Sequence, residues 1–209
     1  RRKKNRRRVK RHPDSVVFVA GARGSGKSSW LKQYARGFPR VLVWSPLEPT
    51  DRYGPLLGVE PELYLHDFLA AATAGGSAVY CPQTPTPSLF DFFCKVVWHT
   101  GDCLVLVDEL ADVTPVGKAV GWWGALVRKG RHRRIEIAAG AQRPAEIDKT
   151  IIGNATRCVC FRLKRHEDRR VMAAEMGIDQ SMLDALRPLQ FVDADDIAGT
   201  VTRGRITFA

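Results

Sequence analysis

A glycine-rich loop near the start of the chain contains the residues with the clearest chemical potential. Its spacing is set by Gly21, Gly26, Lys27 and Ser28. Glycines let backbone N–H groups turn towards phosphate oxygens, a lysine adds positive charge, and a serine hydroxyl can bind Mg²⁺. The spacing therefore predicts a nucleotide-phosphate site, whereas a chance glycine-rich turn would explain neither the lysine nor the serine. The residues predicted to bind the nucleotide are Gly21, Gly24, Ser25, Gly26, Lys27, Ser28 and Ser29.

A second candidate group is the acidic pair Asp108 and Glu109, which follows the apolar run Cys103–Val107. If that run is a strand, Asp108 lies at its carboxyl end, where it can bind the same Mg²⁺ as Ser28. Glu109 is then the candidate to orient and deprotonate an attacking water. The simpler alternative is that the two acids stabilise the start of a following helix. Together with Lys27, the pair favours hydrolysis of the nucleotide over phosphate transfer to a hydroxyl acceptor.

Short apolar runs alternate with helical patterns along most of the chain, and these elements must position both groups. The run Val16–Ala20 is rich in β-branched residues and apolar on both faces, which is typical of a buried strand in a parallel sheet. The alternation predicts a mainly parallel sheet flanked by helices, with ligands at the carboxyl ends of the strands. Further strands are predicted at 40–44, 77–81, 103–107, 135–140 and 157–163, and helices at 27–36, 60–72, 88–99 (capped by Ser88), 116–129 and 145–152, with a loop at 45–58.

The last part of the chain departs from this alternation. Residues 165–186 predict one or two helices broken at Gly177, and residues 191–208 predict a terminal β-hairpin. We therefore expect three regions: a basic disordered arm at residues 1–12, a nucleotide-binding core at residues 13–163, and an extension of the same domain at residues 164–209.

The positive charge of the chain is concentrated at its start. The formal net charge is +11, and residues 1–11 contain nine lysines and arginines and no acid, which leaves +2 for the remainder. A block of like charges repels itself and stays disordered until a polyanion neutralises it. Nucleic acid is the polyanion that this arm predicts. A solubilising tail, a localisation signal and a membrane-surface anchor are the alternatives.

Cysteine, histidine and hydropathy patterns argue against several other classes of protein. The five cysteines have no zinc or disulfide spacing and predict reduced core residues, with Cys158 and Cys160 on one face of a strand. The five histidines are scattered, so no metal cluster is expected. No run approaches the roughly 18 apolar residues of a membrane span, and the arm lacks the apolar stretch of a signal peptide. We expect a soluble protein from a reducing compartment.

The stretch from Arg128 to Pro144 adds a resemblance to a known family. A basic run leads through an apolar strand to Gln142, Arg143 and Pro144. With the two motifs above, this resembles the FtsK/HerA superfamily, and within it the small genome-packaging ATPases of membrane-containing and related icosahedral viruses. The resemblance covers roughly residues 16–163. It implies an α/β, RecA-like P-loop core with an additional strand and a catalytic glutamate, which binds ATP and Mg²⁺ and acts on DNA.

The same resemblance implies a role for each motif residue. Lys27 becomes the lysine that contacts the nucleotide phosphates, and Ser28 and Asp108 become the Mg²⁺ ligands. Glu109 becomes the catalytic carboxylate. Gln142 becomes a polar sensor that contacts the γ-phosphate or the attacking water, whereas without the resemblance it could equally be a solvent-facing loop residue.

Motors of this superfamily also work as rings, in which an arginine from the neighbouring subunit completes each site. A positive charge is needed there because negative charge accumulates in the transition state. Arg131 is the best match to this arginine finger, and Arg157 is a second candidate. The nearby Arg128, Arg133 and Arg134 leave the choice open, and a solvated helix end or a DNA contact is the alternative for the whole basic run.

Departures from the superfamily narrow the expected function. No membrane anchor is predicted, there is no room for a winged-helix orienting domain, and Ala141 replaces the small hydroxyl residue that often precedes the glutamine. These departures disfavour chromosome segregation. The resemblance implies an ATP-hydrolysing ring that packages viral DNA into a preformed capsid, with capsid or portal-vertex partners, in the virion and the host cytoplasm. An export or conjugation motor and a P-loop kinase or nucleotide switch stay open as alternatives.

Overall fold

The computed structural model describes residues 15–46 and 53–207, so the basic arm lies outside the described residues. The strands are β1 (Val16–Ala20), β2 (Val41–Trp44), β3 (Pro61–Glu62), β4 (Ala78–Tyr80), β5 (Cys103–Val107), β6 (Ile135–Ala141), β7 (Arg157–Phe161), β8 (Gln190–Asp195) and β9 (Thr200–Arg205). The helices are α1 (Lys27–Ala35), α2 (Gly54–Leu57), α3 (Leu65–Thr73), α4 (Pro87–Thr100), α5 (Gly121–Lys129), α6 (Lys149–Gly153), α7 (His166–Glu175) and α8 (Ser181–Asp184), with 3₁₀ turns at Gly130–Arg133 and Pro144–Glu146.

In the described part of the chain, the strands form one sheet of nine in the order β3-β4-β2-β5-β6-β1-β7-β8-β9. The strands from β3 to β7 in this order are parallel, and β8 and β9 complete the sheet as an antiparallel hairpin. The α/β fold with a mainly parallel sheet and a terminal hairpin is therefore confirmed. Strand β6 lies between β1 and β5, so an additional strand separates the glycine-rich loop from the acidic pair.

Side chains on both faces of the sheet are buried, because helices cover both faces. Along β1, Val16, Phe18 and Ala20 pack into one hydrophobic cluster, whereas Val17 and Val19 pack into the other. All five residues of this strand are buried. Burial on both faces explains why the strand is apolar throughout rather than alternating with polar residues.

Three helix predictions were wrong at their amino ends. The pattern at 60–72 begins with β3, which pairs with β4 at the edge of the sheet, and only then continues as α3. Proline is tolerated at the first position of an edge strand, which suits Pro61. The helix expected from residue 116 begins at Gly121, and the helix expected at 145–152 is divided into a 3₁₀ turn and α6.

Two smaller predictions also differ from the structure. Helix α4 is capped by Thr86, whose hydroxyl accepts a hydrogen bond from Leu89 N at 3.2 Å, and not by Ser88. Pro87 takes the first helical position, where its missing N–H costs no hydrogen bond, so the cap must come one residue earlier. The loop predicted at 45–58 contains the one-turn helix α2, while its residues 47–52 lie outside the described residues.

Two further sequence expectations, the helix break at Gly177 and the buried cysteines, agree with the structure. The break at Gly177 separates α7 from α8, and this glycine has a φ of 61°. The cysteines Cys81, Cys94, Cys103, Cys158 and Cys160 are all free and buried. Residues 158 and 160 belong to the same hydrophobic cluster, as expected for one strand face. Among residues 15–46 and 53–207, no helix is long and apolar enough to cross a membrane.

Candidate nucleotide site

The glycine-rich loop joins the carboxyl end of β1 to the start of α1. Gly24 and Gly26 have φ values of 73° and 109°, a backbone conformation that glycine adopts without a steric penalty. Hydrogen bonds hold the entry to the loop, from Gly21 N to Ala141 O and from Ala22 N to Arg162 O, both at 3.1 Å. The loop is therefore anchored to the carboxyl ends of β6 and β7. The amino terminus of α1 lies at the same edge of the sheet.

The loop also packs too closely for larger residues at two positions. A Cβ on Gly21 would collide with Ser25 Oγ and lie 2.8 Å from Phe161 Cβ. A Cβ on Gly26 would lie 3.0 Å from Phe161 Cε1 and 3.2 Å from Ile206 Cγ1. The loop thus rests on the end of β7 and on the segment that follows β9. Ser25 is buried, and its Oγ has no hydrogen-bond partner among the described residues.

Lys27 and Ser28 meet the acidic pair from the first turn of α1. Lys27 Nζ donates to the backbone oxygen of Asp108 at 3.1 Å and lies 3.4 Å from its Oδ1. Ser28 Oγ donates to the same Oδ1 at 3.1 Å. The side chain of Asp108 is only 5% exposed. A hydroxyl and a carboxylate that converge at this distance offer the oxygen ligands that Mg²⁺ prefers, so Ser28 and Asp108 fit this ion.

Glu109 is held beside the same lysine by a pair of hydrogen bonds from Gln142. Gln142 donates its backbone N–H to Glu109 Oε1 at 3.3 Å and its side-chain amide to Oε2 at 3.0 Å. Glu109 Oε2 also lies 3.6 Å from Lys27 Nζ. Because β6 neighbours β5, the ends of these strands bring together two residues that are 33 positions apart in the sequence. The predicted proximity of Gln142 to the acidic pair is observed.

Gly140 contributes to this arrangement, although the sequence motifs do not include it. A Cβ at this position would lie 2.8 Å from Asp108 O and 3.2 Å from Lys27 Cδ. Only a residue without a side chain lets β6 approach the acidic pair and the lysine so closely. A glycine inside an apolar strand pattern was the sequence signal that could have identified it.

These side chains line one open cavity of about 590 Å³ at the carboxyl ends of the parallel strands. Ser45 and Pro46, which follow β2, line it, and so do Asp112 and Leu189. Ser45 and Pro46 could have been predicted from their place at a strand end. Leu189 could not, because it approaches from the distant hairpin. The predicted residues in the lining are Gly24, Gly26, Lys27, Ser28, Ser29, Asp108, Glu109 and Gln142.

Both candidate arginine fingers lie far from this cavity within their own chain. Arg131 lies in the 3₁₀ turn before β6, and Arg157 is the first residue of β7, so both are at the amino ends of strands that run towards the cavity. Strand β6 has seven residues, and a rise of about 3.3 Å per residue gives roughly 20 Å between its two ends. Arg131 cannot complete the site of its own subunit across that distance. Arg157 begins a strand of five residues, which places it roughly 13 Å from the carboxyl end of β7.

The arginines of the basic run differ in their contacts. Arg128 and Arg133 donate to backbone oxygens, and Arg134 forms a two-point ion pair with Asp102 at 2.8 and 3.0 Å. Arg131 is exposed and makes no side-chain hydrogen bond or ion pair with the described residues. It is therefore the arginine of this run whose guanidinium is available to another molecule.

Arg157 is occupied by contacts within the chain. Its guanidinium donates to both carboxylate oxygens of Asp193, at 2.6 and 2.9 Å, and lies 5.3 Å from the ring centroid of Trp30. The hydrogen bonds that Arg157 donates to Asp193 raise the pKa of its guanidinium. Arg157 thus links β7 to β8 through its ion pair with Asp193. Its role as an arginine finger stays a prediction.

Protein P9 of Pseudoalteromonas phage PM2 is 33% identical to this chain over 174 residues, which cover 79% of the chain and 77% of protein P9. The chain belongs to the P9 family. No protein-family profile matches it. The match extends over most of both proteins.

Solved structures agree with the P9-family chain in fold. The genome packaging NTPase B204 of Sulfolobus turreted icosahedral virus 2, in complex with ATP-γS, has a TM-score of 0.78 at 15% identity, covering 95% of this chain and 100% of B204. The bacterial conjugative coupling protein TrwBΔN70 has a TM-score of 0.66 at 11% identity, covering 93% and 85%. These likenesses confirm the RecA-like P-loop NTPase fold.

Proposed function

We propose that this P9-family chain is an Mg²⁺-dependent ATPase that drives viral DNA into a preformed capsid. The observation that carries the proposal is the convergence of Lys27, Ser28, Asp108, Glu109 and Gln142 on one cavity. The fold shared with B204, a genome packaging NTPase solved with ATP-γS, supports both the nucleotide and the packaging role. We propose DNA and capsid or portal-vertex proteins as its partners. Its proposed location is the virion and the host cytoplasm.

Each residue of the site has a chemical task in this reaction. Lys27 exchanges its contacts with Asp108 for the β- and γ-phosphate oxygens, and Ser28 and Asp108 hold Mg²⁺. When bound, Mg²⁺ neutralises the charge that develops on the phosphate oxygens. Glu109 accepts a proton from water as the water oxygen bonds to the γ-phosphorus and the bond to the β–γ bridging oxygen breaks. Gln142 orients Glu109 through the two hydrogen bonds described above.

We propose further that the active form is a ring in which Arg131 of one subunit completes the site of its neighbour. The exposed position of Arg131, its lack of partners among the described residues and its distance from its own cavity support a role in trans. An arginine there would stabilise the negative charge of the transition state. Arg157 stays the second candidate, although its guanidinium is already paired with Asp193.

The decisive test of the hydrolytic site is Glu109→Gln. The substitution keeps the shape of the side chain but removes the proton acceptor, so turnover should fall about 10²- to 10⁴-fold while ATP affinity changes less than about twofold. Glu175→Gln is the matched control, because Glu175 is an exposed carboxylate on α7, outside the cavity lining. Phosphate release and equilibrium binding of a labelled nucleotide give the two readouts. Wild-type turnover in Glu109→Gln would refute the assignment of the base.

The alternative functions differ in what they do with the γ-phosphate. Phosphate release that DNA stimulates supports a motor, whereas transfer of phosphate to a small acceptor supports a kinase. A conjugation or export motor of the same fold would also show DNA-stimulated release, and TrwBΔN70 shares the fold. Packaging is distinguished from export by uptake of DNA into empty capsids in vitro.

A further inference from the structure

Two loops leave the candidate nucleotide site and join each other at the surface. Residues 110–120 follow Glu109, and residues 143–150 follow Gln142. A parallel bridge pairs Gly117 with Asp148. Lys149 N donates to Gly117 O at 2.6 Å, and Ala119 N donates to Thr150 Oγ1 at 2.8 Å. We refer to residues 110–120 and 143–150, the second of which ends with the first two residues of α6, as the joined loops.

The bridge also fixes which side chains the joined loops present to solvent. Asp148 points inwards and is fully buried, accepting hydrogen bonds from Trp123 Nε1 and Ile151 N at 3.0 Å. The residues that follow the bridged pair are Lys118 and Lys149, the latter being the first residue of α6, and both are exposed. Neither ammonium group has a hydrogen bond or an ion pair with the described residues. Each of the two bridged segments thus presents one exposed lysine directly after the bridge.

Exposed apolar side chains flank this lysine pair. Val116 and Val120 are 64% and 62% exposed, among the most exposed large hydrophobic residues in the part of the chain that the structure describes. Like charges in adjacent register repel each other unless an anion lies between them. Paired cations beside small apolar groups match the alternating phosphates and sugars of a nucleic-acid backbone.

We propose that the joined loops bind the phosphodiester backbone of nucleic acid, with Lys118 and Lys149 each contacting a phosphate. The proposal rests on the proposed function and deepens it, because it assigns a surface for the DNA and a route from that surface to the site. If a bound nucleotide displaces Glu109 or Gln142, the adjoining first residue of a joined loop, Leu110 or Arg143, is displaced with it. Since the bridge and two hydrogen bonds tie the loops together, both lysines move as one unit.

The binding arm of the test compares the full chain with the double variant K118A/K149A, using a fluorescent duplex of mixed sequence. Each lost phosphate contact lowers the slope of log affinity against log salt by about 0.9. Two lost contacts lower it by about 1.8, so between 50 and 200 mM salt wild-type affinity should fall about 12-fold more than that of the variant. The control is K95A/K164A, which removes two exposed lysines elsewhere and should keep most of the wild-type slope.

The activity arm measures ATP turnover with and without the duplex. K118A/K149A should retain basal turnover and lose most of the stimulation by DNA, whereas K95A/K164A should keep both. If wild-type turnover is absent or insensitive to DNA, the proposed function and this inference fall together. If the wild type is stimulated and K118A/K149A responds equally, with an unchanged salt slope, this inference alone is overturned.

A separate variant tests whether the connection between the loops matters. Thr150→Ala removes the hydroxyl that accepts from Ala119 N, and Thr150→Ser keeps it. Because both lysines remain, Thr150→Ala should bind the duplex within about twofold of wild type, yet lose at least half of the stimulation. Thr150→Ser should restore it. Full stimulation in Thr150→Ala would overturn the route through the joined loops.

Discussion

The two candidate arginine fingers have different surroundings, which predict opposite effects of their substitution. Arg157→Ala removes a two-point ion pair and leaves Asp193, with a side chain only 10% exposed, without its guanidinium. Removing one partner of a fully buried pair costs about 3–5 kcal/mol. Because the Arg157 side chain is 25% exposed, we discount this to about 2–3 kcal/mol. The lost contact with Trp30 adds about 0.5–1 kcal/mol.

A loss of about 3 kcal/mol corresponds to a decrease in Tm of about 6–12 °C for a chain of this length. Arg131→Ala should shift Tm by less than about 2 °C, because the side chain is exposed and has no partner among the described residues. If Arg131 is the finger, its removal lowers ATP turnover about 10³-fold or more. Differential scanning calorimetry and phosphate release, the latter measured on protein shown to be folded, separate the two effects.

Mixing experiments complete this test. Subunits carrying Arg131→Ala should depress the turnover of wild-type rings more than in proportion to their fraction, since each silences a site on its neighbour. A strictly proportional loss would argue against a shared site. The reasoning is refuted if Arg157→Ala leaves Tm unchanged and abolishes turnover, while Arg131→Ala is stable and fully active.

Three further predictions follow from features described above. Gly140→Ala places a Cβ 2.8 Å from Asp108 O, so nucleotide affinity and turnover should both fall at least 10-fold; wild-type values would contradict the close approach. Burial raises the pKa of Cys103 and Cys158 to about 12. The two protonated thiols therefore stabilise the folded state below the ordinary thiol pKa of about 9, and this stabilisation is lost as the pH rises towards 12. At pH 8, DTNB should therefore label no cysteine in the native protein and all five after denaturation. Deleting residues 1–11 should weaken DNA binding and flatten its salt dependence, as measured by anisotropy.

The glycine prediction has a matched control variant, and the other two have an outcome that would contradict them. Gly153→Ala is the control for Gly140→Ala, because a Cβ on Gly153 would meet no atom within 4 Å. For the thiols, labelling of a single cysteine in the native protein would show that one buried group becomes accessible through local opening. For the arm, an unchanged slope of log DNA affinity against log salt after the deletion would show that its positive charges do not contact DNA.

The sequence predicts most of the site because the decisive signals are local. A glycine-rich loop, the lysine and serine that follow it, and two acids after an apolar run each occupy consecutive positions, and backbone geometry turns such runs into strand ends and helix starts. The place of Gln142 was inferred from a resemblance to a family. The structure gives its physical basis, because β6 lies beside β5 and ends next to the acidic pair.

The sequence does not predict features that depend on distant pairing. Leu189 reaches the nucleotide cavity from the hairpin, and nothing in its local sequence indicates this. At the start of α5, Trp122 N donates to Asp91 Oδ1, 31 residues earlier in the sequence, at 2.7 Å, and a local pattern does not reveal this contact. Strand β3 similarly depends on pairing with β4, which overrides a helical pattern.

The support of the glycine-rich loop by residues after β9 has a consequence for synthesis of the protein. Ile206 and Leu189 lie within 3.4 Å of a Cβ built at Gly26, so the loop's packing surface is completed only by residues near the far end of the sequence. A ribosome making about 5–20 residues per second needs roughly 10–40 s to travel between these positions. During that interval the nascent chain has the glycine-rich loop without its final support, and ATP binding should begin only after β9 and Ile206 have left the exit tunnel.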